Sequence, residues 1–192
     1  MPKIRAATVA EHRAMQRRAI LDAAREILAE GGGAETPSLA AVAQRTGLAR
    51  PSVYSYFKSR DDLLDALIID TFPKWSAYVT EQMDKATHPG ERALAYVDAN
   101  LHLVARGEHA IVSALAATGR GELLEETSKT LHDQLRTPLV ETLAERGTRD
   151  PEAMAELIQA IVYAVTRMVE DGTPEADARR LARELLEPYF RS

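Results

Sequence analysis

Between Ser38 and Arg60 the chain gathers side chains that can grip a polyanion. Residues 38–57 read SLAAVAQRTGLARPSVYSYF, and the second half places Arg50, Ser52, Tyr54 and Tyr56 within seven residues. An arginine can fork two N–H bonds onto the edge of a guanine, while Ser and Tyr hydroxyls hydrogen-bond phosphate oxygens. Those side chains are useful together only if a scaffold turns them to one exposed side.

The same twenty residues supply that scaffold. Ser38 can cap a short helix carrying Leu39, Val42 and Ala43 inward, and Thr46-Gly47-Leu48 gives a tight turn in which glycine takes the left-handed conformation. A second short helix follows over about Arg50 to Phe57, with Pro51 tolerated in its first turn because that N–H has no intrahelical partner. This is helix-turn-helix spacing: Val42, Ala43, Leu48, Val53 and Phe57 close the inner faces and leave Arg50, Ser52, Tyr54 and Tyr56 projecting where a major groove could receive them. Phe57 is expected in the core and the two tyrosines on the surface.

The charge distribution supports a polyanion at this end. Residues 1–60 hold ten Lys/Arg against five Asp/Glu, net +5, whereas residues 61–192 hold fourteen against twenty-four, net −10. Lys and Arg gain binding free energy by releasing counterions from phosphates, so a basic head on an acidic body points to nucleic acid at one end only. Cysteine is absent, which excludes disulfides, thiolate metal sites and cysteine nucleophiles. No window has the roughly eighteen apolar residues of a membrane span, and Met1–Ala10 lacks the apolar core of a signal peptide, so a cytoplasmic location is expected.

Apolar residues recur at helical spacing along the chain and no stretch alternates with period two, so the fold class is all-α, with about nine helices. The first helix is expected from near Thr8, which with Glu11 forms a possible capping box, to Gly31-Gly32-Gly33, burying Ile20, Ala23, Ala24, Ile27 and Leu28. Ser59 caps a long fourth helix with Pro73 inside it. A fifth runs from Pro89 to about Arg106, a short sixth lies between Gly107 and Gly119, and a seventh from about Glu122 to Gly147 contains Pro138. Asp150-Pro151-Glu152 and Thr173-Pro174-Glu175 open the last two. The domain division expected is 1–58 for the helix-turn-helix head and 59–192 for the body.

From about Arg18 to Leu67 the sequence resembles the TetR/AcrR family of bacterial regulators, through AILDAAREILAEGG, SLAAVAQRTGLARPSVYSYF and KSRDDLLDAL. The resemblance implies a three-helix DNA-binding head, and a ligand-binding body that dimerises through its last two helices. It places Ser38, Arg50, Ser52, Tyr54, Tyr56 and Arg60 at positions that commonly touch DNA, Arg60 standing for the usual lysine. Ala40 and Ala41 depart from the basic and acidic residues often found there, which implies fewer contacts from the second helix. The function implied is that of a ligand-responsive regulator, a repressor released from its operator by a small molecule, acting without a cofactor.

The body offers two further expectations. The fifth helix has apolar positions on two stripes, so it is surrounded; Tyr96 and Asn100 could serve as polar handles in a pocket otherwise lined by Trp75, Val79, Leu103, Leu115, Leu131 and Leu135. The last two helices carry more apolar surface than one side can bury, so Ile158, Ile161, Val162, Val165, Leu181, Leu185 and Tyr189 are candidates for a homodimer interface built as a four-helix bundle.

Catalysis is not expected. There is no Gly-x-Ser-x-Gly elbow or phosphate loop, and Gly119-Arg120-Gly121 lacks the rest of a dinucleotide fingerprint. The five histidines, at 12, 88, 102, 109 and 132, include no pair three or four apart. A metal sensor using His102, His109 or His132 with a carboxylate, or a helical adaptor without small-molecule induction, remains the alternative.

Overall fold

A computed structural model of the chain describes residues 6–30, 37–109 and 121–191. Eight α-helices occupy them: α1 (Ala6–Glu30), α2 (Leu39–Thr46), α3 (Arg50–Tyr54), α4 (Arg60–Asp84), α5 (Pro89–Ala105), α6 (Gly121–Glu145), α7 (Pro151–Glu170) and α8 (Glu175–Arg191). There is no strand among the described residues. The short helix expected between Gly107 and Gly119 lies almost wholly outside them, so α6 to α8 are the expected seventh to ninth helices. The first helix starts two residues ahead of Thr8, which therefore does not cap it.

The described residues form two compact units, one comprising 6–30, 37–70 and 121–124, the other 71–109 and 125–191. The division falls at Asp70, inside α4, rather than at the expected 58/59. The physical reason is burial: Leu63, Leu64 and Leu67, on the first two turns of α4, are at most 1% exposed and belong to the unit that holds α1 to α3. α4 is a single continuous helix through Pro73, so the chain passes from one unit to the other without a loop.

In the first unit the core is Ile20, Leu21, Ala24 and Leu28 of α1, Leu39, Val42 and Ala43 of α2, Val53 of α3 and Phe57 just beyond it. In the second, α5 is packed by both α7 and α8, which also pack on each other. That accounts for its two stripes: Ala93, Leu94, Tyr96, Val97, Ala99, Asn100, Leu101 and Val104 are all buried. Where α5 meets the end of α8 the approach is close enough to require glycine. A Cβ on Gly90 would stand 2.9 Å from the carbonyl oxygen of Phe190, a contact real side chains do not make.

Candidate DNA-binding surface and effector site

Ser38 accepts a hydrogen bond from the Ala41 N–H at 3.1 Å and so caps α2. α2 ends on Gly47, whose φ of 68° is the left-handed conformation that lets the chain reverse at once into α3. The Thr46 hydroxyl returns to the Val42 carbonyl at 2.8 Å, tightening the last turn. Pro51 sits in the first turn of α3, and the Ser59 hydroxyl accepts from the Asp62 N–H at 3.0 Å to cap α4. Each of these is a local device, and together they fix the angle at which α3 is presented.

The expected contact residues separate in this geometry. Arg50 and Arg60 are exposed, Tyr54 is 53% exposed, and Ser52 is half-buried. Ser38 is exposed, but its oxygen already serves as a cap. Tyr56 departs from the expectation of a free surface side chain: it is half-buried, its hydroxyl donates to Gln16 Oε1 at 2.5 Å, and its ring lies under Arg13. Phe57 is buried as expected, at 1% exposure. Sequence reading did not single out Gln16; the signal available was its place on the α1 face that continues from Ile20 and Ala24 at helical spacing.

Two other cations of the head, Arg25 and Arg45, are neutralised. Arg25 pairs with Asp70 at 2.5 Å, and Arg45 reaches both oxygens of Glu30 at 2.7 and 2.5 Å. The bidentate arginine holds the Glu30 carboxyl below its usual range.

In the body, the expected polar handles are brought together but bond one another. The Trp75 indole N–H donates to Asn100 Oδ1 at 2.9 Å, and Asn100 Nδ2 donates to the Tyr96 carbonyl at 2.8 Å. The Tyr96 hydroxyl donates to Gln159 Oε1, and burial pushes that phenol well above its ordinary pKa, keeping it a donor. Val79 and Leu135 are buried and Leu103 is half-buried. Leu115 and the side chain of Leu131 lie outside the described residues. Beside Gln159 a cavity of about 220 Å³ is lined by His132, Arg136, Ala155, Glu156, Gln159, Ala160 and Tyr163. Gln159, on α7, was not legible as a partner for a residue 63 positions earlier.

The expected dimer residues also divide. Ile158, Val162 and Val165 are buried within the single chain, at 0, 5 and 6% exposure, so they are core rather than a free face. The correction has a simple cause: the side of α7 carrying them packs into its own unit with α5 and α8. Tyr189 is likewise engaged at home, its ring under Arg146 at 4.5 Å and its hydroxyl 3.3 Å from Thr148 Oγ1. Leu181 and Leu185 are exposed, at 40 and 63%, and Ile161 is half-buried. Leu157 is 59% exposed on the same outward side of α7 as Ala160 and Ala164.

His102 and His109 each face one carboxylate, Glu175 at 3.4 Å and Glu170 at 2.5 Å. Among the described residues no group of three His, Asp or Glu side chains converges as a metal site would require.

Residues 20–67 match the family described as bacterial regulatory proteins, tetR family. The matched span runs from the α1 core through both helices of the motif into α4, the same stretch in which the caps, the Gly47 turn and the buried inner faces are found. Residues 20–67 therefore form a tetR-type head. The match supports transcription regulation through DNA binding. The HTH-type transcriptional regulator LuxR of Vibrio harveyi is 24% identical over 173 residues, covering 85% of this chain and 81% of that protein. Among solved structures that share the fold of this chain are two solved with ligands. A transcriptional regulator from Saccharomonospora viridis, solved with choline, has a TM-score of 0.76 at 16% identity, over 91% of this chain and 96% of that one. AibR, solved with isovaleryl coenzyme A and operator DNA, has a TM-score of 0.64 at 21% identity, over 88% of this chain and 97% of that one.

Proposed function

We propose that this regulator is a homodimeric repressor whose two heads bind an inverted-repeat operator and leave it when a small molecule enters the body. The observation that carries the reading is the capped α2–Gly47–α3 unit with Arg50 and Tyr54 exposed on the second helix, in the stretch that matches the family. Arg50 reads a base edge; Arg60 and the hydroxyls of Ser52 and Tyr54 hold phosphates. Tyr56 and Ser38 act by positioning, since each is already bonded within the head. No described helix is long and apolar enough to cross a membrane, and a cytoplasmic location suits a protein whose partner is the chromosome.

For the dimer, the outward side of α7 and α8 offers Leu157, Ile161, Leu181 and Leu185, an apolar strip that two copies would cover by two-fold packing. For the effector, the buried Trp75, Asn100 and Tyr96 with the half-buried Gln159 are a set of polar atoms inside an apolar body, the pattern of a site for a largely apolar ligand. Proteins of this fold solved with choline or with isovaleryl coenzyme A give precedent for a small-molecule ligand. A ligand acts only by binding the DNA-competent and incompetent arrangements unequally, and about 3–5 kcal/mol of difference moves most of the population. α4 has residues in both compact units, as has α6 at its first turn, so helix backbone runs covalently between them.

The deciding experiment selects duplexes from a random pool with the wild-type protein and measures affinity for the selected site. Arg50→Ala should cost about 1–3 kcal/mol and relax preference at one base pair, whereas Arg60→Ala should weaken all sequences alike and reduce the salt slope by about one. A folded protein that enriches no sequence overturns the reading.

A further inference from the structure

The buried face of α1 changes character along its length. Ile20, Ala24 and Leu28 lie on it in the core, and the same helical spacing continued toward the N-terminus gives Arg17, Gln16 and Arg13. These do not point into open solvent at random. The Arg13 guanidinium lies 5.6 Å from the centre of the Tyr56 ring and the Arg17 guanidinium 5.4 Å from that of Phe57, while Gln16 accepts from the Tyr56 hydroxyl. Three residues on two successive turns of α1 thus meet the two aromatics that end the helix-turn-helix.

The charges here differ from others in the same unit. Arg25 and Arg45, in the same unit, are matched to Asp70 and to Glu26 and Glu30. Arg13 and Arg17 have no carboxylate partner among the described residues, and both are exposed. A guanidinium attracted to a ring face keeps N–H groups for another acceptor, so a ring-held arginine is a donor whose stem entropy has already been reduced.

We propose that Arg13 and Arg17 form an extension of the DNA interface, binding backbone phosphates that flank the bases reached by α3. The inference rests on the reading that the head binds duplex DNA, and it adds two cations from outside the motif. In it, Tyr56 and Phe57 are platforms that hold the arginines in place. The contact is to phosphate, because the arginines lie on α1, off the exposed side of α3 where Arg50 and Tyr54 project.

The test compares wild type with Arg13→Gln, with the double variants Arg13→Gln/Arg17→Gln and Arg13→Lys/Arg17→Lys, and with Arg50→Ala, on a selected duplex and on a scrambled duplex, from 50 to 200 mM salt. Each phosphate contact contributes about 0.9 to the slope of log affinity against log salt. Arg13→Gln should lower the slope by about one on both duplexes, and the double glutamine variant by about two. The ratio of affinities at the two salt limits then shrinks about tenfold. The lysine pair should keep the slope. Arg17→Gln uncovers Phe57 and can lower the melting temperature; the single Arg13→Gln variant leaves Phe57 covered and keeps the test valid. Unchanged slopes in both glutamine variants, while Arg50→Ala still weakens the selected duplex, would overturn the inference and leave the proposed function standing. No binding by wild type to either duplex would overturn both.

Discussion

The indole N–H of Trp75 donates to Oδ1 of Asn100 across 2.9 Å, with both side chains at most 8% exposed. The pair holds α4 and α5 together in the body, and its energetics follow from burial. Asn100→Leu leaves the indole donor without its partner, and an unsatisfied buried donor costs about 1–3 kcal/mol. Urea unfolding followed by far-ultraviolet circular dichroism should show that loss. Adding Trp75→Phe should restore part of it, because the orphaned donor is then gone. Additive losses in the double variant would contradict the contact.

Two aspartate substitutions distinguish core from interface on the last two helices. Val165 is 6% exposed, so Val165→Asp buries a carboxylate at a cost of several kcal/mol and should unfold the body. Leu185 is 63% exposed, so Leu185→Asp should leave the single chain folded and act on association alone. Sedimentation with circular dichroism separates the outcomes. A folded Leu185→Asp protein with wild-type mass would remove Leu185 from the proposed dimer face.

Gly90→Ala should be costly for a different reason. The new methyl would stand 2.9 Å from a backbone oxygen, which cannot rotate away as a side chain end could. Overpacking of this kind costs about 1–3 kcal/mol. Thermal unfolding should register it, and an unchanged midpoint would mean that the start of α5 and the end of α8 stand further apart.

Acid should weaken the body through His132. Burial holds this imidazole below its ordinary pKa of about 6.5, against a smaller opposing pull from Asp133. The unfolded chain then binds the proton more readily than the folded one. Its contribution is complete above about pH 6.5 and is lost as pH falls through that value toward the folded-state pKa. The stability difference between wild type and His132→Gln should therefore narrow between about pH 7 and 5. A difference that is constant with pH would show that His132 titrates alike in both states.

How much of this was legible before the fold was known depends on how local the signal was. Ser38, Gly47, Pro51 and Ser59 announce their roles within four residues, because a cap, a left-handed turn or a proline at a helix start is set by the backbone next to it. Helical spacing likewise marked Val42, Ala43, Val53 and Phe57 as inner residues, and all are buried.

Other assignments needed neighbours that the sequence does not order. Tyr54 and Tyr56 are two residues apart and chemically identical, yet one is exposed and the other is bonded to Gln16, forty residues earlier. Val165 and Leu185 were equally apolar candidates for a partner surface, and only packing by α5 and α8 on one side of α7 made the first a core residue. The sequence by itself determined the helices, the motif and the sign of charge at the head, because hydrogen-bond geometry, periodicity and composition act within a few residues. Tertiary structure decided which side of each helix faces another helix and which polar atoms meet, since those contacts join residues tens of positions apart.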